Sequence, residues 1–423
     1  PVHRDWVERD EAPFAFVVPA DQRDPFETYE LLEILHFGEV EIHQARAAFT
    51  VGGTSYPAGS WVILLAQPYG AFAKTMLEEQ VYPDLRYFPG GPPIPPYDVT
   101  AHTLGLLMGV DVDQIDEPIV ADLELLPEIE PSVTPLPPRR GWAYAMSPTS
   151  NAGFLAAARL QSAGIPVFRA ADWFSLNDGE HAPGTWFVPP TREAELILGK
   201  VADETGLIVS AVSHAPAIDG YRLKMPTRVG LWRAANNIPA GWMMWLFEQY
   251  ELNHTVVSSV DFDGDLSDKY DVIVLPAGTS RSRIVDGLDP DRHDESWRWA
   301  YGVGHAGWTK LQQWVKEGGT LVALGSAVAT ARELLDLPIA PVLPTRRQHM
   351  VSESGRPETQ ITVHQAEDLL RDAFRSPAQL AMALRDRVVD PTSLFYSPGS
   401  LLKQEHNPRH PIGWGMPETW PVF

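Results

Sequence analysis

Pro57-Ala58-Gly59-Ser60-Trp61 and Ala182-Pro183-Gly184-Thr185-Trp186 are the two stretches on which the reading of this chain turns. Each is a turn signal of proline, glycine and small residues that launches an apolar run, residues 61–65 and 186–188. The tryptophans lie 125 residues apart (186 − 61), and Val40/Ile165, Leu35/Leu160 and Ala45/Ala170 share that offset. Several points at one offset mark an internal repeat. The first strands, beginning near Phe14 and Trp142, lie 128 apart (142 − 14), so one copy changes length by three residues before its helix.

Worked outward, each copy reads as a βαβ-type unit followed by a third strand. In the first, residues 14–18 are a strand and residues 25–37 have helical spacing, with Phe26, Tyr29, Leu32 and Leu35 on one face. Residues 40–45 alternate like a strand, 61–65 form a buried strand, and a helix follows over 71–79. In the second, strands are expected at 142–146, 167–170 and 186–188. A helix over 152–163 closes at Gly164, a glycine C-cap position.

A third, larger unit follows. Strands are expected at 228–233, 255–258, 270–276 and 320–324, and helices at 241–250 and 308–317. This alternation implies a parallel sheet covered by helices on both faces. The whole chain therefore reads as α/β, several βαβ units with parallel sheets. The divisions are 1–96 for the first unit, 97–140 for a proline-rich acidic connector, 141–222 for the second unit and 223–423 for the third. Residues 345–385 read as a polar helical insertion, and 394–396 and 399–402 as a return to strand. Within the connector, residues 100–108 are expected to form one helix and 111–138 an extended linker.

Bulk properties narrow the function. The 423 residues suggest two to four domains, at roughly 100–200 residues each. A net charge of −22 argues against nucleic acid, because phosphate binding needs clustered Lys and Arg. There is no cysteine, which removes disulfides, thiolate zinc sites and cysteine nucleophiles together. No apolar run reaches the ~18 residues of a membrane span. The chain begins at Pro1 and its first residues lack an apolar signal core, so it reads as a piece of something longer, with any export signal upstream.

Several phrases carry a family resemblance. They are Tyr56-Pro57-Ala58-Gly59-Ser60 with Gln67-Pro68-Tyr69, Pro95-Pro96-Tyr97-Asp98-Val99-Thr100 with Met108-Gly109-Val110, Tyr270-Asp271-Val272-Ile273-Val274-Leu275-Pro276, Gly318-Gly319-Thr320-Leu321-Val322-Ala323, Pro398-Gly399-Ser400 and Gly415-Met416-Pro417. In this order they resemble the region that follows the peptidase domain in large bacterial M14-type zinc carboxypeptidases. The resemblance implies a non-catalytic accessory region of a secreted or periplasmic enzyme that releases C-terminal residues from peptides. It implies a missing N-terminal peptidase domain as partner, zinc in the parent enzyme and none in this chain. It also implies a last domain of flavodoxin-like, class I glutamine amidotransferase-like fold.

Candidate sites are few. His364 and Glu367 have the His-x-x-Glu spacing of a zinc pair. A third ligand about a hundred residues on would fall past Phe423, and a solvated helix face is the simpler reading. His406 and His410 are interrupted by Pro408 and read as a loop. Ser326 follows a buried strand, where a glutamine amidotransferase has its nucleophile, but Leu324 and Val328 replace the glycines of Gly-x-Ser-x-Gly. A helix N-cap is its simpler role, with His305 and Asp271 as imaginable partners of a serine hydrolase. A stand-alone binding module is the remaining alternative. Its ligand would lie at the carboxyl ends of the third unit's strands, against Gly278, Thr279, Ser280, Arg281 and Ser326. Helical spacing assigns Trp245 and Trp314 to the core, whereas residues 297–301 could face a partner domain or peptide.

Overall fold

The computed structural model describes residues 2–80, 83, 85, 94, 102–176, 179–224, 226–339 and 401–422. The chain divides into two compact units. The first comprises residues 1–78, 103–338 and 402–422 and holds every element described below. The second comprises residues 79–102 and 339–401 with Phe423, of which few residues are described. The expected insertion at 345–385, the strand at 394–396, and His364 and Glu367 lie outside the described residues.

In the first repeat the elements are α1 (Val2–Val7), β1 (Ala15–Val18), α2 (Pro25–Phe37), β2 (His43–Ala45), β3 (Phe49–Val51), β4 (Thr54–Tyr56), β5 (Trp61–Leu64), α3 (Gly70–Leu77), α4 (Leu104–Met108), β6 (Asp113–Ile115) and β7 (Leu123–Leu125). The second repeat has β8 (Ala143–Met146), α5 (Ala152–Ser162), β9 (Phe168–Ala170), β10 (Phe174–Leu176), β11 (Gly179–His181), β12 (Trp186–Val188), α6 (Arg192–Thr205), β13 (Val209–Val212) and β14 (Gly220–Arg222). The sheets run β6-β1-β5-β2-β7 and β13-β8-β12-β9-β14, the same order with equivalent strands. The hairpins also keep the 125-residue offset, β3–β4 at 49–56 and β10–β11 at 174–181.

Every pairing in these two sheets is antiparallel, which corrects the expectation of parallel sheets. The crossover through α2 does make β1 and β2 run the same way. The hairpin β3–β4 then reverses the chain, and β5 enters between them, antiparallel to both. The βαβ unit is thus split by its own third strand. Residues 97–140, read as a connector, supply β6 and β7, the two edges of the first sheet.

The central strands are buried on both faces, hence their unbroken apolar sequence. Phe16 and Val18 face Leu31, Leu32 and Leu35 of α2, while Ala15 and Val17 face Phe49 and Tyr56 of the hairpin. The launching turn has a chemical reason. Gly59 and Gly184 adopt φ of +90° and +84°, a region that favours glycine. The Ser60 and Thr185 hydroxyls donate to the carbonyls of Pro57 and Ala182 at 2.9 and 2.7 Å.

The third region has β15 (Val229–Trp232), α7 (Ile238–Gln249), β16 (His254–Val257), α8 (Leu266–Lys269), β17 (Val272–Leu275), α9 (Arg281–Val285), α10 (Gly304–Lys316), β18 (Thr320–Ala323) and α11 (Ala327–Leu335). Its four strands are parallel in the order β16-β15-β17-β18. Ile273 and Leu275 face a core containing Leu311 and Trp314 of α10 and Leu334 of α11. The opposite side is more open: α7 buries only Ala240, and Val322 of β18 is 37% exposed. A final hairpin, β19 (Leu402–Glu405) with β20 (Thr419–Val422), stands apart from the parallel sheet.

All three regions meet at a pair of neighbouring carboxylates. Asp24 is the N-cap of α2 and accepts from Phe26 N–H at 3.1 Å. It also accepts from the Ser150 hydroxyl at 2.8 Å and from the N–H of Asn151, the N-cap of α5, at 2.7 Å. One negative charge thus serves two helix N-termini, where free N–H groups and the helix dipole favour an anion. Beside it, Glu27 accepts from the Asn151 side chain at 2.7 Å and from the Tyr250 phenol that ends α7. Burial raises both carboxyls above their ordinary values, and the hydrogen bonds from Asn151 pull each back.

Two predictions follow from this junction. Asp24→Ala strands Asn151 N–H, Phe26 N–H and Ser150, and is expected to cost about 2–4 kcal/mol in urea unfolding. Because the folded pKa of Glu27 is raised, its contribution to stability is full at low pH and falls as pH rises past the ordinary carboxylate range. Glu27→Gln copies the protonated form, so its stability should gain on the wild type as pH rises above the ordinary carboxylate value of about 4.3. Denaturation at several pH values checks this, and the opposite trend would sink it.

Candidate functional site

The carboxyl ends of parallel strands are where an open α/β sheet leaves a crevice. Here β15, β17 and β18 deliver the turns 233–237, 276–280 and 324–326 to one end of the sheet. The expected residues Gly278, Thr279, Ser280 and Ser326 are brought together. Ser326 Oγ accepts from Gly278 N–H at 2.8 Å. Thr279 is 1% exposed, and its carbonyl accepts from the Thr330 hydroxyl of α11 at 2.8 Å. Ser280 caps α9 by accepting from Arg283 N–H. Arg281 turns away to an ion pair with Glu333 and lies 5.3 Å over the Trp308 ring.

Asn237 belongs to this group and was missed in the sequence. Its Nδ2 approaches Thr279 Oγ1 at 3.4 Å, and its buried Oδ1 has no hydrogen-bond partner. Oδ1 lies 3.6 Å from where a Cβ of Gly278 would stand. No motif announces it; only the placement of β15 beside β17 brings residue 237 to residue 278.

Ser326 has ordinary helical angles, φ −64° and ψ −17°, and sits at the N-cap of α11 without a side-chain capping bond. Its hydroxyl serves the neighbouring turn rather than its own helix, which corrects the N-cap reading in detail. Asp271 precedes β17 at the far end of the sheet, four strand residues from the crevice, about 13 Å at ~3.3 Å per residue. There it binds Arg228 and Lys224, which hold its carboxyl well below the usual range. His305 is exposed on the first turn of α10. The structure does not assemble these three as a triad.

A second concavity lies at the end of β8 in the repeats. It is a cleft of about 420 Å3 lined by Gln22, Arg23, Met146, Trp173, Glu180 and His181, among others. Its size is that of a small-molecule site. The Arg23 guanidinium lies 4.5 Å over the Trp420 ring and donates to the Gly415 carbonyl, and burial lowers its pKa.

The remaining candidates resolve individually. His410 caps the short 3-10 turn Pro411–Gly413 through Nδ1, and His406 follows β19, so both lie outside helices as expected. Trp314 is buried at 3% exposure, but Trp245 is 52% exposed, which corrects its assignment to the core. Trp297 is 43% exposed in the 3-10 turn Glu295–Ala300, and Arg233 lies 4.5 Å over Trp299. Among the described residues no helix is long and apolar enough to cross a membrane.

No family model, curated protein or solved structure matches this chain.

Ser326→Ala removes one exposed acceptor from Gly278 N–H, which water can replace. The expected loss is about 0.5–1 kcal/mol in chemical denaturation, with the same fold by circular dichroism.

Proposed function

We propose that this chain is a non-catalytic accessory region of an M14-like zinc metallocarboxypeptidase, secreted or periplasmic, whose peptidase domain lies outside these residues. The parent activity is release of C-terminal residues from peptides. The reading rests on the ordered sequence phrases, and one structural observation carries the accessory role. Helix α7 presents Ile238, Trp242, Trp245 and Leu246 along one stripe, at 74, 67, 52 and 39% exposure. Large apolar side chains exposed at i, i+4, i+7 and i+8 of one helix form a surface suited to another domain. The third region is then a degenerate flavodoxin-like, amidotransferase-like domain. Its strand order matches the first four strands of the flavodoxin-like order.

A second reading is favoured by Asn237. An unpartnered buried acceptor over the Gly278 turn suits a small ligand with a hydrogen-bond donor, held in the parallel-sheet crevice. The serine-hydrolase reading has less support, because the Ser326 hydroxyl holds the Gly278 turn and Asp271 is engaged by Arg228 at the far end of the sheet.

The test joins this chain to the polypeptide encoded upstream of it. The pair is expected to bind each other and release C-terminal residues from peptides with zinc, and this chain alone is expected to release none. Trp242→Ser with Trp245→Ser should weaken that association without lowering the chain's own unfolding midpoint. Zinc-dependent release by this chain alone, lost in His364→Ala, or labelling of Ser326 by a fluorophosphonate, would overturn the reading.

A further inference from the structure

Strand β9 places Arg169 on the face of its sheet that α5 covers. The residue is 8% exposed. Its guanidinium carbon lies 3.7 Å over the Trp186 ring, 5.2 Å from Trp414 and 5.8 Å from Phe154 of α5. Nε donates to the Gly184 carbonyl at 2.8 Å. Nη2 is buried with no hydrogen-bond partner, and so is Nε1 of Trp186. Burial alone pushes this arginine down to about 10, and no carboxylate opposes that effect.

The first repeat shows what the position needs structurally. Gln44 stands 125 residues earlier and opposes Trp61 in register, as Arg169 opposes Trp186. The Gln44 side-chain amide donates to the Gly59 carbonyl at 3.1 Å, the bond that Arg169 makes to Gly184. A neutral amide therefore satisfies this turn. The second repeat makes the same bond with a charge, in a place where burial disfavours a cation. The faces of Trp186, Trp414 and Phe154 offset part of that cost, and no anion among the described residues pairs with the charge.

We propose that Arg169 and the Trp186 indole form an anion site in the second repeat, for a small carboxylate bearing an apolar group. Nη2 and Nε1 supply two unspent donors, and a single guanidinium matches a single negative charge. Trp186, Phe154 and Trp414 supply apolar walls. The missing side chain at Gly184 lets Trp414 close against Nη2: a Cβ there would stand 2.7 Å from Nη2, with Trp414 Cγ at 2.9 Å from the same point. Trp414 Cβ lies 2.6 Å from that point, so Trp414 fills it here and an anion reaches Nη2 only where Trp414 is displaced. It sits beyond the short turn Pro411–Gly413, where Ile412 is 86% exposed. The site does not depend on the accessory-region reading.

Thermal unfolding of the wild type and of Arg169→Gln tests this, in sodium chloride, sodium benzoate and sodium phosphate at equal ionic strength. In chloride the variant is expected to unfold at the wild-type temperature or above it, since glutamine can repeat the Gln44 bond. Benzoate is expected to raise the wild-type midpoint by a few degrees and leave the variant unmoved. A variant that loses several degrees in chloride would make the guanidinium structural. Equal shifts in both proteins, or none in the wild type, would remove the site. A larger Arg169-dependent shift with phosphate than with benzoate would overturn the carboxylate assignment.

Discussion

The carboxylate of Asp24 sits between the N-termini of α2 and α5, and the arrangement of the repeats depends on it. Two helix N-termini brought together would repel through their dipoles and leave several N–H groups without acceptors. One shared anion answers both problems. It is bound asymmetrically: the first repeat contributes the aspartate, and the second contributes Ser150 and Asn151 as donors. The duplicated units therefore differ at the residue where they touch, because two aspartates facing each other would repel. The third region attaches to the same junction. Tyr250 bonds Glu27, and Glu251 forms a forked pair with Arg159 of α5, which also holds Glu204 of α6.

Duplication separates what a position does for the fold from what it does otherwise. The turn Pro57–Ser60 and its counterpart at 182–185 keep the positive-φ glycine, the hydroxyl and the backbone pairing to β2 or β9. These features recur because β5 and β12 must each enter a gap between two strands already in place. Gln44 and Arg169 share one bond and differ in charge. The shared bond belongs to the fold, and the charge, which faces the rings of Trp186, Trp414 and Phe154, belongs to the second repeat alone.

The elements were legible because periodicity and caps are local. Pro25 after Asp24 marks the start of α2, Gly164 with φ +74° follows the end of α5, and the apolar run at β17 reads as a buried strand. Strand direction was not local. A βαβ pattern is the same string whether the two strands pair directly or admit a third between them, and only β5 inserting between β1 and β2 decides. The edge strands Asp113–Ile115 and Leu123–Leu125 were hidden for a related reason. They are short, acidic and largely exposed, which is how an edge resists further pairing and also how a linker looks. Trp245 misled because helical spacing identifies a face without saying whether anything covers it. Asn237 and Arg169 carry no motif, although aligning the repeats sets Arg169 against Gln44.

The crevice of the parallel sheet shows why a serine at a strand-to-helix turn does not by itself supply chemistry. The strand-to-helix turn after β18 presents a hydroxyl, but a hydroxyl becomes a good nucleophile only with a base within hydrogen-bond reach. The Ser326 oxygen accepts from Gly278 N–H, and Asp271, just before β17, lies at the other end of the strand, paired with Arg228 and Lys224. The turn has been turned to holding the next loop in place. The polar atom left without a partner is Asn237 Oδ1, a neutral acceptor. An acceptor of this kind can orient a ligand but cannot take its proton at neutral pH.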